Sequence, residues 1–217
     1  MSAELFGLEH DNQRWQEPIC DGAVILRRWA LAYENTLAEA IEAVATQSPF
    51  RHLVTPGGHR MSVATTSCGR HGWMSDRSGY RYQEIDPLNG RPWPKMPSAM
   101  QKLAEEAAKE AGFSDFSPDS CLINRYAPGA KLSLHQDRDE RDYSHPIVSV
   151  SLGLPATFQF GGFTRNARKL NLPLVHGDIV VWGGPSRLRF HGILPLRAGH
   201  HHFAGACRIN LTFRRAG

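Results

Sequence analysis

No stretch of the chain approaches the roughly 18 uninterrupted apolar residues of a membrane-spanning helix. Met1 to Asp11 lack a basic segment leading into an apolar run, the pattern of a secretory leader. These absences predict a soluble, unexported protein. Cysteine is scarce: Cys20, Cys68, Cys121 and Cys207 lie far apart and form no C-x-x-C pair. That spacing argues against a zinc ribbon or a disulfide framework and fits the reducing cytoplasm. Internal repeats, low-complexity tracts, heptads and Pro/Gly/Ser-rich linkers are also missing, so a single compact unit and a monomer are expected.

What is present suits that reading. The chain has 217 residues, enough for one domain with a substantial elaboration and too few for two large ones. Hydrophobic residues make up 41% and charged residues 21%, with 10 Phe, 5 Trp and 5 Tyr, a composition that can bury a core and excludes global disorder. Charge is unevenly spread: residues 1–120 carry 12 Lys/Arg against 16 Asp/Glu, and residues 121–217 carry 13 against 5. The basic second part points to an anionic partner, with a merely basic surface as the alternative.

Two segments have helical periodicity. In Thr36 to Gln47, Thr36 and Glu39 form a T-x-x-E capping box, and Leu37, Ala40, Ile41, Val44 and Ala45 make an apolar stripe. From Ser98, a second box pairs Ser98 with Gln101. Met100, Leu103, Ala104, Ala107 and Ala111 supply its stripe, and Gly112 is placed to end it. Short Val/Ile/Phe/Thr runs follow at Cys121–Tyr126, Ile147–Leu154, Thr157–Phe160, Ile179–Trp182 and Arg208–Arg214, separated by Gly- and Pro-containing turns. This texture predicts a mainly β protein with flanking helices, built as an antiparallel sandwich or barrel. Residues 50–95 are rich in turn signals and aromatics and read as a loop-rich elaboration.

The sharpest chemical feature is His135-Gln136-Asp137, directly after the strand-like Lys131–Leu134. Residues two apart in extended chain share a face, so an imidazole and a carboxylate can converge there. His191 is a candidate third ligand; two His and one carboxylate describe the facial triad of non-heme Fe(II) oxygenases. Alone, an H-x-D tripeptide is equally a surface His beside a surface Asp. Period-2 alternation in the last strand puts Arg208, Asn210, Thr212 and Arg214 on one face and Ile209, Leu211 and Phe213 on the other. Two guanidinium forks framing an amide and a hydroxyl suit a small dicarboxylate, although solvated arginines on an exposed face would give the same pattern. Asn124 and Tyr126, two apart, could add hydrogen bonds to the same anion. His200-His201-His202 reads as a polar loop, since neighbouring histidines alternate faces and no carboxylate partner is evident.

The run Asn124-Arg125-Tyr126-Ala127-Pro128-Gly129-Ala130-Lys131-Leu132-Ser133-Leu134-His135-Gln136-Asp137 resembles the bacterial AlkB family closely. So do Ser149–Gly153, Gly177-Asp178, Arg208–Arg214 and, upstream, Trp15–Pro18 and Thr55–Gly58. These are Fe(II)- and 2-oxoglutarate-dependent dioxygenases that dealkylate nucleic acid bases. The resemblance covers nearly the whole chain. It implies a double-stranded β-helix (jelly-roll) core at 96–217, with 15–95 as N-terminal extension and nucleotide-recognition lid in one catalytic domain. It further implies Fe(II) on His135, Asp137 and His191, and 2-oxoglutarate against Asn124, Tyr126, Arg208, Asn210 and Arg214, with the division of labour between the two arginines left open. Trp73, Tyr80 and Tyr82 would contact or flank a flipped-out nucleotide, with Asp139 and Arg165 beside the base.

The implied reaction removes methyl groups from N1-methyladenine and N3-methylcytosine type lesions in single-stranded or duplex DNA, or RNA. It consumes O2 and 2-oxoglutarate and releases formaldehyde, succinate and CO2. His59 and Arg189 stand where the bacterial relatives are expected to have a tyrosine and an aromatic residue, which bears on substrate preference and leaves the reaction type alone. Two further readings remain at this point: a 2-oxoglutarate-dependent hydroxylase of protein or a small molecule, and a non-catalytic metal-binding jelly roll.

Overall fold

The structure is a computed structural model that describes residues 13–217; residues 1–12, where the absent leader pattern was noted, lie outside the described residues. The strands in chain order are β1 (Trp15–Cys20), β2 (Ala23–Arg27), β3 (Arg51–Val54), β4 (Arg60–Gly69), β5 (Gly72–Asp76), β6 (Gly79–Gln83), β7 (Ile85–Asp86), β8 (Arg91–Pro92), β9 (Ser120–Tyr126), β10 (Leu132–His135), β11 (Ile147–Gly153), β12 (Ala156–Phe160), β13 (Leu170–Leu174), β14 (Ile179–Trp182), β15 (His191–Ile193) and β16 (Arg208–Arg214). Helices α1 (Glu34–Gln47) and α2 (Ser98–Glu110) complete it. An eight-stranded antiparallel sheet in the order β1-β2-β14-β11-β16-β9-β4-β3 and a four-stranded one in the order β10-β15-β12-β13 form the jelly roll. Hairpins β5–β6 and β7–β8 stand apart from both sheets.

The pleat explains the layering. Val148, Val150 and Leu152 of β11, with Leu211 and Phe213 of β16, share one core cluster with the helical stripe residues Leu37, Ile41, Val44, Met100 and Leu103. On the opposite face, Ile147, Val180, Trp182 and Tyr126 join Phe158, Phe160, Leu174 and Ile193 in a second cluster between the sheets. The large sheet is therefore covered on both sides. Each fully buried Val, Leu, Ile or Phe contributes about 1.5–3 kcal/mol relative to exposure, so β11 and β16 form a rigid floor for whatever the inner face presents.

Three local expectations need correction. The chain enters α1 from a 3-10 turn at Trp29–Tyr33, so the helix is already running when Thr36 is reached. Thr36 Oγ1 donates to the Tyr33 carbonyl at 2.9 Å instead of capping. In α2, Pro97 occupies the capping position and its carbonyl accepts from Met100 and Gln101, while the Gln101 side chain donates forward to Glu105; no capping box forms. Its predicted end is right: Gly112 is at φ +90°, donates to the Lys109 carbonyl, and Phe113 donates to that of Ala108, a Schellman closure. Third, residues 50–95 are chiefly strand. The turns are real, but β4 is buried along Val63–Cys68 and so shows no in-out alternation for the sequence to reveal.

Candidate active site

β10 and β15 are antiparallel neighbours that set His135 directly opposite His191. Their close approach depends on Gly192, where a Cβ would lie 2.7 Å from the Leu132 carbonyl oxygen. The two imidazoles are 4.4 Å apart between ring centres. Asp137 follows β10 by two residues, and its carboxylate lies 3.5 Å from His135 Nε2 and 3.7 Å from His191 Nε2. One nitrogen or oxygen from each of the three thus falls within 4.8 Å of the others. His135 Nδ1 sits 2.9 Å from the Ser133 carbonyl and His191 Nδ1 3.0 Å from that of Arg189. A carbonyl only accepts, so Nδ1 carries the proton on both rings and the Nε2 lone pairs face the centre.

The protonation states are set for ligation. Burial pushes His191 down to about 3, with the neighbouring His135 adding to the shift, so the ring is neutral at physiological pH. Burial would by itself raise Asp137. The Arg214 guanidinium, which donates to Asp137 Oδ2 from Nε at 3.0 Å and Nη2 at 2.7 Å, overrides it together with the two histidines and holds the carboxyl well below its usual range. Trp182 and Phe158 pack against His191 at 4.9 and 6.0 Å between centres, closing the apolar side.

The inward face of β16 is the expected second constellation. Register places Asn210 opposite Asn124 and Arg208 opposite Tyr126 on β9, and opposite Ser151 and Gly153 respectively on β11. Asn210 Nδ2 donates to Ser149 Oγ and the Val150 carbonyl at 2.8 and 2.9 Å. The two arginines, equivalent in the sequence, are not equivalent here. Arg214 is committed to Asp137 and Glu140. Arg208 is 1% exposed, gives one Nη2 hydrogen bond to Ser151 Oγ at 2.9 Å and lies 5.0 Å over the Tyr126 ring. Its Nε and Nη1 find no partner. Burial lowers Arg208 from its usual value, with Tyr126 opposing. A buried cation with two donor atoms left without a partner is suited to hold an anion such as a carboxylate.

Residues 22–214 match the family described as the 2OG-Fe(II) oxygenase superfamily. The chain belongs to that superfamily. It is 60% identical to the alpha-ketoglutarate-dependent dioxygenase AlkB of Escherichia coli, over 98% of this chain and 99% of that protein. It is 33% identical over 53% of its length to human nucleic acid dioxygenase ALKBH1, of which it covers 30%. The solved structure of OsALKBH1 superposes with a TM-score of 0.79 at 26% identity, covering 93% of this chain and 100% of that one. The oxygenase accordingly uses Fe(II), 2-oxoglutarate and O2. Its side chains fit them: two imidazoles and a carboxylate whose ligand atoms converge suit Fe(II), and the orphaned Arg208 donors suit a dicarboxylate.

Hairpin β5–β6 overhangs the loop after β10. Trp73 and Tyr82 are cross-strand partners, and Trp73 stacks on Tyr80 at 5.6 Å with 14° between planes. Trp73 Nε1 donates to Asp139 Oδ2 at 2.7 Å. Tyr80 is about half exposed. The Tyr82 hydroxyl is instead turned to Glu140 Oε1, at 2.8 Å, and burial holds this phenol well above its usual value so that it remains a donor. Arg165 is anchored next to His135, through the Leu134 carbonyl, with its guanidinium 5.2 Å over Phe190. His59 is exposed in the turn before β4. Arg189 donates to Ser186 Oγ and the Gly161 carbonyl, at 3.1 and 3.0 Å.

Sequence reasoning missed Glu140 and Arg187, both buried, which join each other at 3.0 Å beside Asp137. They lie in irregular segments where no periodicity marks an inward side chain. Ser149 and Ser151 could have been found, because polar residues interrupt the Val150-containing run on one face only. The histidine triplet also needs correction: it does have a carboxylate partner. His202 Nε2 lies 2.6 Å from Glu34 Oε1, with His176 Nε2 at 3.7 Å. The Gly153 amide donates to His176 Nδ1 at 3.0 Å, which places that ring's proton on Nε2 and leaves no lone pair facing Glu34. With the His176 Nε2 proton turned to Glu34, this donor set does not suit a metal.

Proposed function

We propose that this oxygenase oxidatively removes alkyl groups from nucleic acid bases, with N1-methyladenine and N3-methylcytosine type lesions as its substrates. The observation that carries the reading is the conjunction of the His135/Asp137/His191 cluster and the unpaired Arg208 with a stacked aromatic pair, Trp73 and Tyr80, tied to a carboxylate two residues from Asp137. Family membership supports the oxidation. A nucleic acid dioxygenase among the relatives and the basic second part of the chain support the substrate class.

In this scheme His135, Asp137 and His191 hold Fe(II) on one face. Arg208 grips the far carboxylate of 2-oxoglutarate, and Asn124, Tyr126 and Asn210 line its length. Arg214 keeps Asp137 ionised and oriented. When bound, the metal and co-substrate supply the oxidation that converts a C–H bond of the alkyl group to an alcohol, with succinate and CO2 as co-products. An alcohol on carbon attached to a base nitrogen collapses to formaldehyde and the restored base. The protein's share is to bring the base out of its stack and keep it still. Within residues 15–95, hairpin β5–β6 is the recognition lid: Trp73 and Tyr80 receive the flipped base, and Arg165 flanks it. Asp139 favours adducts that carry positive charge. Such a substrate places the work in the cytoplasm. The test is the stoichiometry of formaldehyde and succinate on a methylated single-stranded oligonucleotide: one formaldehyde per succinate is expected. Succinate without formaldehyde would move the chemistry to a substrate of another class.

A further inference from the structure

Four consecutive residues after β10 carry three side chains with different destinations. Asp137 faces the two histidines, Asp139 takes the Trp73 indole, and Glu140 takes the Tyr82 hydroxyl. Trp73 and Tyr82 are paired across the hairpin, so β5–β6 grips this short segment at two points. Behind it lies a closed set of buried groups. Glu140 Oε2 pairs with Arg187 Nη2 at 3.0 Å, and Arg187 Nη1 returns to the Asp137 carbonyl oxygen, also at 3.0 Å. Arg214 Nε donates to Asp137 Oδ2 at 3.0 Å and lies 3.2 Å from Glu140 Oε1 as an ion pair. Glu140, Arg187 and Arg214 are 5%, 3% and 6% exposed, so two carboxylates and two guanidiniums balance in near-dry surroundings.

Competition between Asp137 and Glu140 for the same guanidinium makes the arrangement sensitive to the hairpin. Glu140 Oε1 accepts from the Tyr82 hydroxyl and is ion-paired with the Arg214 guanidinium. While the phenol satisfies that oxygen, Arg214 is free to serve Asp137. If the hairpin lifts, the buried oxygen keeps only Arg214 as donor on that side, and an unsatisfied buried carboxylate is expensive enough to draw Nε away from Asp137. Asp137 then loses part of what orients it.

We propose that Glu140 is a positioning residue, which through the Tyr82 hydroxyl makes docking of hairpin β5–β6 and occupation of the Fe(II) and 2-oxoglutarate site reinforce each other. This rests on the reading above of Asp137 as a metal ligand and of the hairpin as the substrate lid. By linkage the reinforcement is reciprocal: the factor by which metal and co-substrate tighten nucleic acid binding equals the factor by which nucleic acid tightens theirs.

The test is anaerobic, on the full chain, with a fluorescent single-stranded oligonucleotide carrying 1-methyladenine. With 2-oxoglutarate present throughout, its affinity is measured with and without Fe(II), and Fe(II) affinity is measured with and without the oligonucleotide. The parent protein is expected to show the same coupling factor in both directions, about tenfold. Tyr82→Phe removes one hydroxyl and keeps the ring, and Glu140→Gln keeps the shape and removes the charge. In both, the factor should collapse to within about twofold of unity. A merely structural role would weaken the single affinities and leave their ratio intact. Tyr82→Phe with the parent's coupling factor would overturn the proposal, as would a parent protein whose two ligands bind independently. Failure of the parent to bind the oligonucleotide under any condition is a different result: it would sink the functional reading, and this proposal with it.

Discussion

Arg208 offers a perturbation whose effects on stability and on binding have opposite signs. Its guanidinium is buried, two of its donor groups are orphaned, and what offsets its desolvation is one Ser151 hydroxyl and the Tyr126 ring. Burying a charge with so little compensation costs several kcal/mol, and each unmet buried donor about 1–3 kcal/mol. Methionine fills similar space without a charge. Arg208→Met should therefore stabilise the ligand-free protein by about 1–3 kcal/mol, which at this chain length raises Tm by about 2–4 °C per kcal/mol. The same change removes a buried, charge-assisted contact to a carboxylate, worth about 2–4 kcal/mol, so 2-oxoglutarate should bind about 30- to 1,000-fold more weakly. Paired thermal melts read both effects: the parent is stabilised by 2-oxoglutarate in the presence of Fe(II) under argon, and the variant melts higher when empty and gains nothing from 2-oxoglutarate. A variant that is less stable when empty by more than about 1 kcal/mol, or that retains the parent's 2-oxoglutarate-dependent upshift, would refute the assignment of Arg208 to the carboxylate.

Gly192→Ala forces a methyl group against the Leu132 carbonyl, so it should cost about 1–3 kcal/mol by overpacking and weaken Fe(II) binding by separating β10 from β15; denaturant melts and metal titration check this. The metal-free protein should lose stability on acidification. An unfolded histidine takes up a proton below about 6.5, whereas folded His191 resists it down to about 3, so its stabilising contribution is complete above 6.5 and falls by about 2 kcal/mol at pH 5. His176 and His201, lowered chiefly by burial, act in the same direction, and melting of the metal-free protein between pH 8 and 5 with a flat profile would contradict this. Asp139→Asn preserves shape and an acceptor for Trp73 while removing charge; kcat/KM on cationic methylated bases should drop about fivefold, the scale of a charge pair open to water, with little change on neutral adducts.

The legible parts of this molecule are those where one face differs in chemistry from the other. Strand β16 was readable to the residue because Ile209, Leu211 and Phe213 enter the helix-side core while Arg208, Asn210, Thr212 and Arg214 share the opposite face, where Arg214 meets Asp137. The helical stripes of α1 and α2 were readable for the same reason. Strand β4 was not, since both its faces are buried and Ser, Thr, Ala and Cys fill it without alternation. Strand β13 was hidden by Pro173, which an edge strand tolerates. At the site, His135 and Asp137 could be paired by their spacing. His191, on a distant strand, could be named from its position only as a candidate third ligand, which the family resemblance then supported. The separate duties of Arg208 and Arg214 depend on Glu140, whose inward turn leaves no local trace.

Dealkylation of a base at the His135/Asp137/His191 site changes the mass of the substrate. Its most direct test is the mass of a short single-stranded oligonucleotide carrying 1-methyladenine or 3-methylcytosine after incubation with the protein, Fe(II), 2-oxoglutarate and air. Loss of one methylene per adduct is expected, dependent on 2-oxoglutarate and abolished by His135→Ala. An unchanged oligonucleotide mass on both adducts, with 2-oxoglutarate still turned over to succinate, would contradict it.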